Sequence, residues 1–115
     1  MTSRIVQHTA RCETTRGRDA TDPEQLFAAA WSACLLDALR LAGRWLGVAL
    51  PGGLAVEAEV DLCSVGADAF LRARFVIHMP GLERDVAEAL VDLARRVCPY
   101  TKATLGNIEV TIRVA

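Results

Sequence analysis

The sequence predicts an α+β domain in which an antiparallel sheet is covered by two main helices, in the order β–α–β–β–α–β. Three observations carry this prediction. Residues 54–63 and 70–79 alternate apolar and polar side chains, as half-buried strands do. Residues 26–36, the first half of a helix expected over about 23–46, are apolar almost all round, which argues for burial on more than one side. Residues 83–98 carry an apolar stripe at helical spacing and run into a proline. The element order alone also fits a ferredoxin-like arrangement, a fold that hosts many unrelated activities.

Taken in order, "RIVQHTARC" (4–12) alternates weakly and reads as a strand. "ETTRGRDATDP" (13–23) is polar, contains Gly17 and Pro23, and reads as a loop. Pro23 suits the first position of a helix, with Asp22 or Thr21 as its cap and Glu24 or Gln25 following in the first turn. That helix is expected to run from Pro23 to about Leu46. Its second half is one-sided, with Arg40 and Arg44 outward and Leu41 and Trp45 inward. "GVALPGG" ends it. In "LAVEAEVDLC", Leu54, Val56, Ala58, Val60 and Leu62 share one face, while Glu57, Glu59 and Asp61 share the other. "SVGADA" is a turn, and "FLRARFVIHM" returns with Leu71, Ala73, Phe75, Ile77 and Met79 inward, so the two strands form a hairpin. The second helix spans about Glu83 to Cys98, with Val86, Ala89, Leu90, Leu93, Ala94 and Val97 on its stripe and Pro99 as its stop. "NIEVTIRV" (107–114) is the last strand, with Ile108, Val110, Ile112 and Val114 inward.

The chain has 115 residues, which fits a single domain covering 1–115. Hydrophobic residues make up 52% of it, rich for a domain of this size, so association with a second copy is expected. Thirteen Lys and Arg face fourteen Asp and Glu, and aromatics are 5%, so neither charge nor stacking points to a nucleic acid. The N-terminus lacks a secretory h-region. The longest apolar stretch, Leu26–Leu36, is broken by Ser32 and is short for a membrane span. A cytoplasmic protein without a membrane partner is expected. Its four cysteines, Cys12, Cys34, Cys63 and Cys98, should then be thiols, and a disulfide among them would be catalytic or redox-sensing. They form no CxxC, and with two histidines they give no zinc spacing.

Cys34 lies in the middle of the apolar helix on a stripe with Phe27 and Leu41. Taken alone, it reads as a core thiol, inert because apolar surroundings raise a thiol pKa. A reactive Cys34 needs a cation from elsewhere, and Asp37 one turn on acts in the wrong direction if it faces the sulfur. Arg16 and Arg18 precede the helix, and Glu24 in its first turn could hold an arginine through a bidentate pair. Arginines in a polar loop and a glutamate in a first turn are equally at home as solvated charges.

"TDPEQLFAAAWSACLLDAL" resembles the first signature of the OsmC/Ohr family of organic hydroperoxide reductases, in which a Pro-Glu-Gln-Leu-Phe start leads to an Ala-Cys in the same helix. "VCPYTKATLGNIEV" resembles the second, and the Pro-Glu-Gln-Leu-Phe and Cys-Pro-Tyr forms look more like the Ohr branch. Similarity extends through "LPGGLAVEAEVDL" and "MPGLERDVAEALVDLARRVCPY". The resemblance implies that Cys34 is the peroxidatic cysteine and Cys98 the resolving one. It implies Arg18 as the active-site arginine, with Glu24 as its partner. It further implies an intertwined homodimer with sites at the interface and no metal or flavin. The reductant is then an external dithiol such as dihydrolipoamide or a lipoyl-bearing protein. The chain departs from the pattern between "GRDA" and "TDPEQLF", which run together where the family carries an intervening segment. Arg16 is the substitute if Arg18 does not reach Cys34.

Two functions follow. One is a thiol peroxidase acting on alkyl or fatty-acid hydroperoxides, with Phe27 and Trp31 supplying an apolar pocket. The other is a non-catalytic relative, a dimer that binds an apolar ligand or a partner at the same cleft. Cys12 and Cys63 match neither signature and are expected to be incidental.

Overall fold

The computed structural model describes the backbone of residues 5–14 and all atoms of 22–115. The expectations for Arg16, Arg18 and the side chain of Cys12 lie outside the described residues. The elements are β1 (Ile5–Thr14), α1 (Pro23–Leu46), β2 (Ala55–Val65), β3 (Asp68–His78), α2 (Arg84–Val97), α3 (Pro99–Thr104) and β4 (Glu109–Val114). The four strands lie in chain order. β1 pairs antiparallel with β2, and β2 with β3 from Ala55 opposite His78 to Val65 opposite Asp68. The wholly antiparallel expectation is corrected at the far edge, where β4 runs parallel to β3. The connection through α2 and α3 carries the chain back to the end where β3 began, as parallel neighbours require. Strands in chain order, with β1 beside β2, also set aside the ferredoxin-like alternative.

α1 occupies the predicted span. Asp22 accepts a hydrogen bond from the Gln25 backbone N–H at 2.8 Å, which caps the helix start, and Pro23 takes its first position. The helix ends where Gly47 adopts φ +67°, a left-handed conformation that suits glycine and returns its N–H to the carbonyls of Arg44 and Gly43. By length and hydropathy α1 could cross a bilayer, yet half of its most apolar stretch is buried within this fold. The stripe Ala28, Trp31, Leu35, Leu39 and Ala42 packs on the sheet and α2. Trp45, expected inward, is 59% exposed. It follows Leu41 by one turn, and Leu41 lies at the edge of the core stripe, so Trp45 continues that edge into solvent.

The β2–β3 hairpin forms as predicted, with Val56, Ala58, Val60, Ala73, Phe75, Ile77 and Met79 buried against the helices. The opposite face of β2 is less open than the alternation suggests. Asp61 is 1% exposed and Cys63 is fully buried. Arg72 and Arg74, from the neighbouring strand, close over the Asp61 carboxylate, donating at 2.8 Å and at 2.5 and 3.0 Å. A buried carboxylate is tolerated because charged donors meet both of its oxygens. On α2 the buried set is Ala87, Leu90, Val91 and Ala94, and Ala89 is exposed. Alanine fits either side of such a stripe, and the larger Val91 decides which way the helix turns.

Candidate active site

The sequence placed a single helix stop at Cys98–Pro99, and the structure has a corner there. A residue before proline is pushed out of the helical region, and Cys98 has φ −68° and ψ 117°. Proline at the first position of a helix is well tolerated, so α3 starts at Pro99. Cys98 therefore serves two helices at once. Its N–H donates to the Ala94 carbonyl at 2.9 Å, and its carbonyl accepts from the Lys102 N–H at 3.0 Å.

This corner sets the Cys98 side chain against the middle of α1. The Cys34 and Cys98 Sγ atoms are 3.1 Å apart. Disulfide formation at about 2.05 Å needs roughly 1 Å of further approach. Cys98 is fully buried, whereas Cys34 is partly exposed. Cys34 lines an open, mainly apolar cleft of about 510 Å³ walled by Ala30, Ala33, Ala38, Leu41, Val97 and Pro99, with Asp37 at its side. The small residues of "AAAWSA" that face this way leave the room.

Burial pushes the Cys34 thiol up to about 11. The adjoining Cys98 thiol and the Asp37 charge add to that, while a hydrogen bond from the Tyr100 backbone amide works against it. Among the described residues none of these influences is a cation. Asp37 thus acts in the unfavourable direction foreseen from sequence, weakly, because it is largely exposed and pairs with Arg40 at 3.5 Å. Glu24 lies half-buried in the first turn of α1. Ten residues separate it from Cys34, about 15 Å of helix rise, so its carboxylate serves the sulfur only through an intermediary.

The expectation that Trp31 walls the pocket is corrected, while Phe27 is half-buried beside it. Trp31 is fully buried and faces the core, stacking edge-on to Phe75 at 4.9 Å and tilted against Phe27 at 5.2 Å. Its indole N–H donates to the Thr101 hydroxyl at 3.1 Å. The sequence offered one faint signal for this contact. Thr101 stands three residues after Cys98, and Trp31 three before Cys34, so an antiparallel approach of the two segments brings both pairs together. Among the described residues no group of three or more His, Cys, Asp or Glu is placed to hold a metal ion.

Residues 16–113 match the family model described as OsmC-like protein. The chain is 36% identical over 99 residues to an organic hydroperoxide resistance protein of Xanthomonas axonopodis pv. citri, covering 86% of this chain and 70% of that one. It is 43% identical over 98 residues to the organic hydroperoxide resistance protein OhrA of Bacillus subtilis, covering 84% and 68%. A crystal structure from Legionella pneumophila, described as an organic hydroperoxide resistance protein OsmC, superposes with a TM-score of 0.78 at 37% identity, over 84% of this chain and 70% of that one.

Proposed function

Because this chain belongs to the OsmC-like protein family, we propose that it is a thiol-dependent peroxidase that reduces organic hydroperoxides to alcohols. The names of its relatives support a role in peroxide detoxification. The observation that carries the finer reading is the 3.1 Å approach of Cys34 and Cys98, with the more accessible sulfur facing an apolar cleft.

The chemistry follows from that geometry. The Cys34 thiolate attacks the outer oxygen of ROOH, the O–O bond breaks, and the alkoxide leaves as ROH after taking a proton. Cys34 becomes a sulfenic acid. The Cys98 sulfur then attacks the Cys34 sulfur, expels hydroxide that leaves as water, and forms the disulfide. An external dithiol, of the lipoyl kind, returns both cysteines to thiols and becomes a disulfide itself. The alanine-walled cleft favours an alkyl or acyl chain over hydrogen peroxide. Arg18, held by Glu24, supplies the positive charge that the described surroundings of Cys34 lack.

Homodimerisation belongs to the same reading. Ten residues of helix, about 15 Å, are long for one guanidinium to bridge within one chain, so in this reading the Glu24-held arginine serves the Cys34 of a second copy, and Leu26, Trp45, Leu46 and Leu105 are exposed apolar side chains for that copy to cover. Sedimentation equilibrium should return twice the chain mass.

The test of the activity is turnover of cumene hydroperoxide with dihydrolipoamide. Cys34→Ser should abolish it, and Cys98→Ser should allow one oxidation and then stall. Equal rates in wild type and Cys34→Ser would refute the reading. A second reading, a non-catalytic dimer that binds an apolar ligand in the cleft, is favoured by the raised Cys34 thiol alone. It expects no Cys34–Cys98 disulfide after peroxide.

A further inference from the structure

We infer that Trp31 and Thr101 are positioning residues whose hydrogen bond holds Cys98 within striking distance of Cys34, so that the sulfenic acid is captured as a disulfide before it oxidises further. The inference rests on the peroxidase reading and concerns its second chemical step.

The contact joins residues 70 apart in sequence and is buried at both ends, with Trp31 at 0% and Thr101 at 9% exposure. On α1, Trp31 precedes Cys34 by three residues, so the two side chains project from nearly the same side of the helix one turn apart. On the other strand of the contact, Thr101 lies in the first turn of α3, three residues beyond Cys98. Indole–hydroxyl and thiol–thiol are therefore successive rungs of one antiparallel approach. The indole cannot drift, because Phe27 and Phe75 flank it. The corner cannot turn independently of α3, because the Cys98 carbonyl already accepts from Lys102, and the Thr104 hydroxyl donates to the carbonyls of Tyr100 and Thr101 at 3.0 and 3.1 Å. Beside the sulfurs α3 is held against α1 by the Tyr100 backbone amide on Cys34, by the Phe27–Tyr100 ring contact at 6.4 Å, and by the Trp31–Thr101 bond, the side-chain hydrogen bond of the three. Neither side chain lines the cleft, so neither is placed to touch the hydroperoxide.

In the covalent step it governs, Cys98 supplies the electron pair to the Cys34 sulfur, the S–O bond breaks, and hydroxide departs with a proton as water. Looser positioning slows this step and leaves the preceding attack on peroxide alone. The sulfenic acid then persists to meet a second hydroperoxide, which takes it to the sulfinic acid.

The experiment compares wild type, Thr101→Val, Thr101→Ser and Trp31→Phe. Valine matches threonine in shape but leaves the indole N–H without its acceptor; serine restores a hydroxyl; phenylalanine keeps an aromatic ring and removes the donor. Reduced protein is mixed with an excess of cumene hydroperoxide, quenched at intervals and read by mass spectrometry for Cys34 sulfenic, sulfinic and disulfide forms. Thr101→Val and Trp31→Phe should condense about fivefold more slowly than wild type, the factor that the net worth of one hydrogen bond corresponds to. They should also accumulate sulfinic acid, while peroxide consumption in the first oxidation stays within about twofold. Thr101→Ser should condense near the wild-type rate. Condensation at the wild-type rate in both Thr101→Val and Trp31→Phe overturns the inference, as does equal slowing in Thr101→Val and Thr101→Ser. A parallel measurement does not depend on peroxide chemistry: equilibration of the Cys34–Cys98 pair in a glutathione buffer. There the closing constant should fall about fivefold in Thr101→Val and recover in Thr101→Ser. An unchanged constant overturns the inference, whereas a wild type that closes in glutathione but ignores peroxide overturns only the peroxidase reading.

Discussion

Replacing Arg18 with alanine tests where the charge for the Cys34 thiolate comes from. With the thiol pushed up to about 11 by its described surroundings, about one Cys34 in ten thousand is a thiolate at pH 7, against about three in a hundred for a free cysteine. A thiolate of higher pKa is intrinsically more nucleophilic, which recovers about tenfold. The bare site should therefore react about thirtyfold more slowly than free cysteine at neutral pH. A guanidinium within about 4–6 Å of the sulfur favours the charged form and lowers the titration by about one to three pH units. The sign is fixed by chemistry: only the thiolate reacts, so the rate climbs with pH and levels off above the pKa. A raised pKa moves the plateau to higher pH. The assay is the rate of iodoacetamide alkylation at Cys34, followed by peptide mass spectrometry across pH. Wild type should reach its plateau about one to three pH units below Arg18→Ala, whose plateau should lie near 11. Arg16→Ala, measured alongside, shows whether the neighbouring arginine carries the charge instead. A wild-type plateau already near 11 would refute the supply of any cation. A low plateau that survives both substitutions would refute these two arginines as its source.

Three further outcomes are expected. Oxidised protein treated briefly with a small monothiol, then acid-quenched and alkylated, should carry the adduct on Cys34 and the alkyl group on Cys98. Cys34 faces the cleft and Cys98 is fully buried; the reverse labelling would contradict this. Asp61→Ala should lower stability by about 1–3 kcal/mol in urea denaturation, the scale of charge-assisted hydrogen bonds, moderated because Arg72 and Arg74 can regain water. Gly43→Ala should cost about 1–3 kcal/mol by the same method. An added Cβ there meets the Leu50 Cγ and the Val48 carbonyl oxygen at 3.1 Å each.

Local signals in the sequence were strong where one residue dictates backbone geometry. The Asp22–Pro23 start and Gly47 end of α1, and the turn between β2 and β3, were legible for that reason. The two cysteine contexts pointed to a pair, and the fold brings that pair together. Legibility failed where an outcome depends on what arrives from elsewhere in the chain. Asp61 looked like one more solvent-facing carboxylate, and only the strand opposite supplies the two arginines that bury it. Trp31 looked like a cleft residue because it is one turn from Cys34, but a three-residue step still rotates it by about 60°, enough for Phe75 on the sheet to claim the indole. The parallel placement of β4 is a property of the crossover and leaves no trace in a six-residue strand. α3 was hidden because proline is both the strongest helix stop and a favoured helix start.

The nearness of Cys34 and Cys98 also ties the redox state to folding. Sixty-four positions separate the two sulfurs in sequence, and closing a loop of that size removes about 4 kcal/mol worth of freedom from the unfolded chain. By thermodynamic linkage the same quantity appears twice. Whatever the disulfide adds to the resistance of the fold against unfolding, the fold adds to the resistance of the disulfide against reduction. The native chain thus acts as a high effective concentration of one thiol for the other. A lone monothiol competes poorly with that, while a dithiol, whose second sulfur also attacks within one molecule, competes on equal terms.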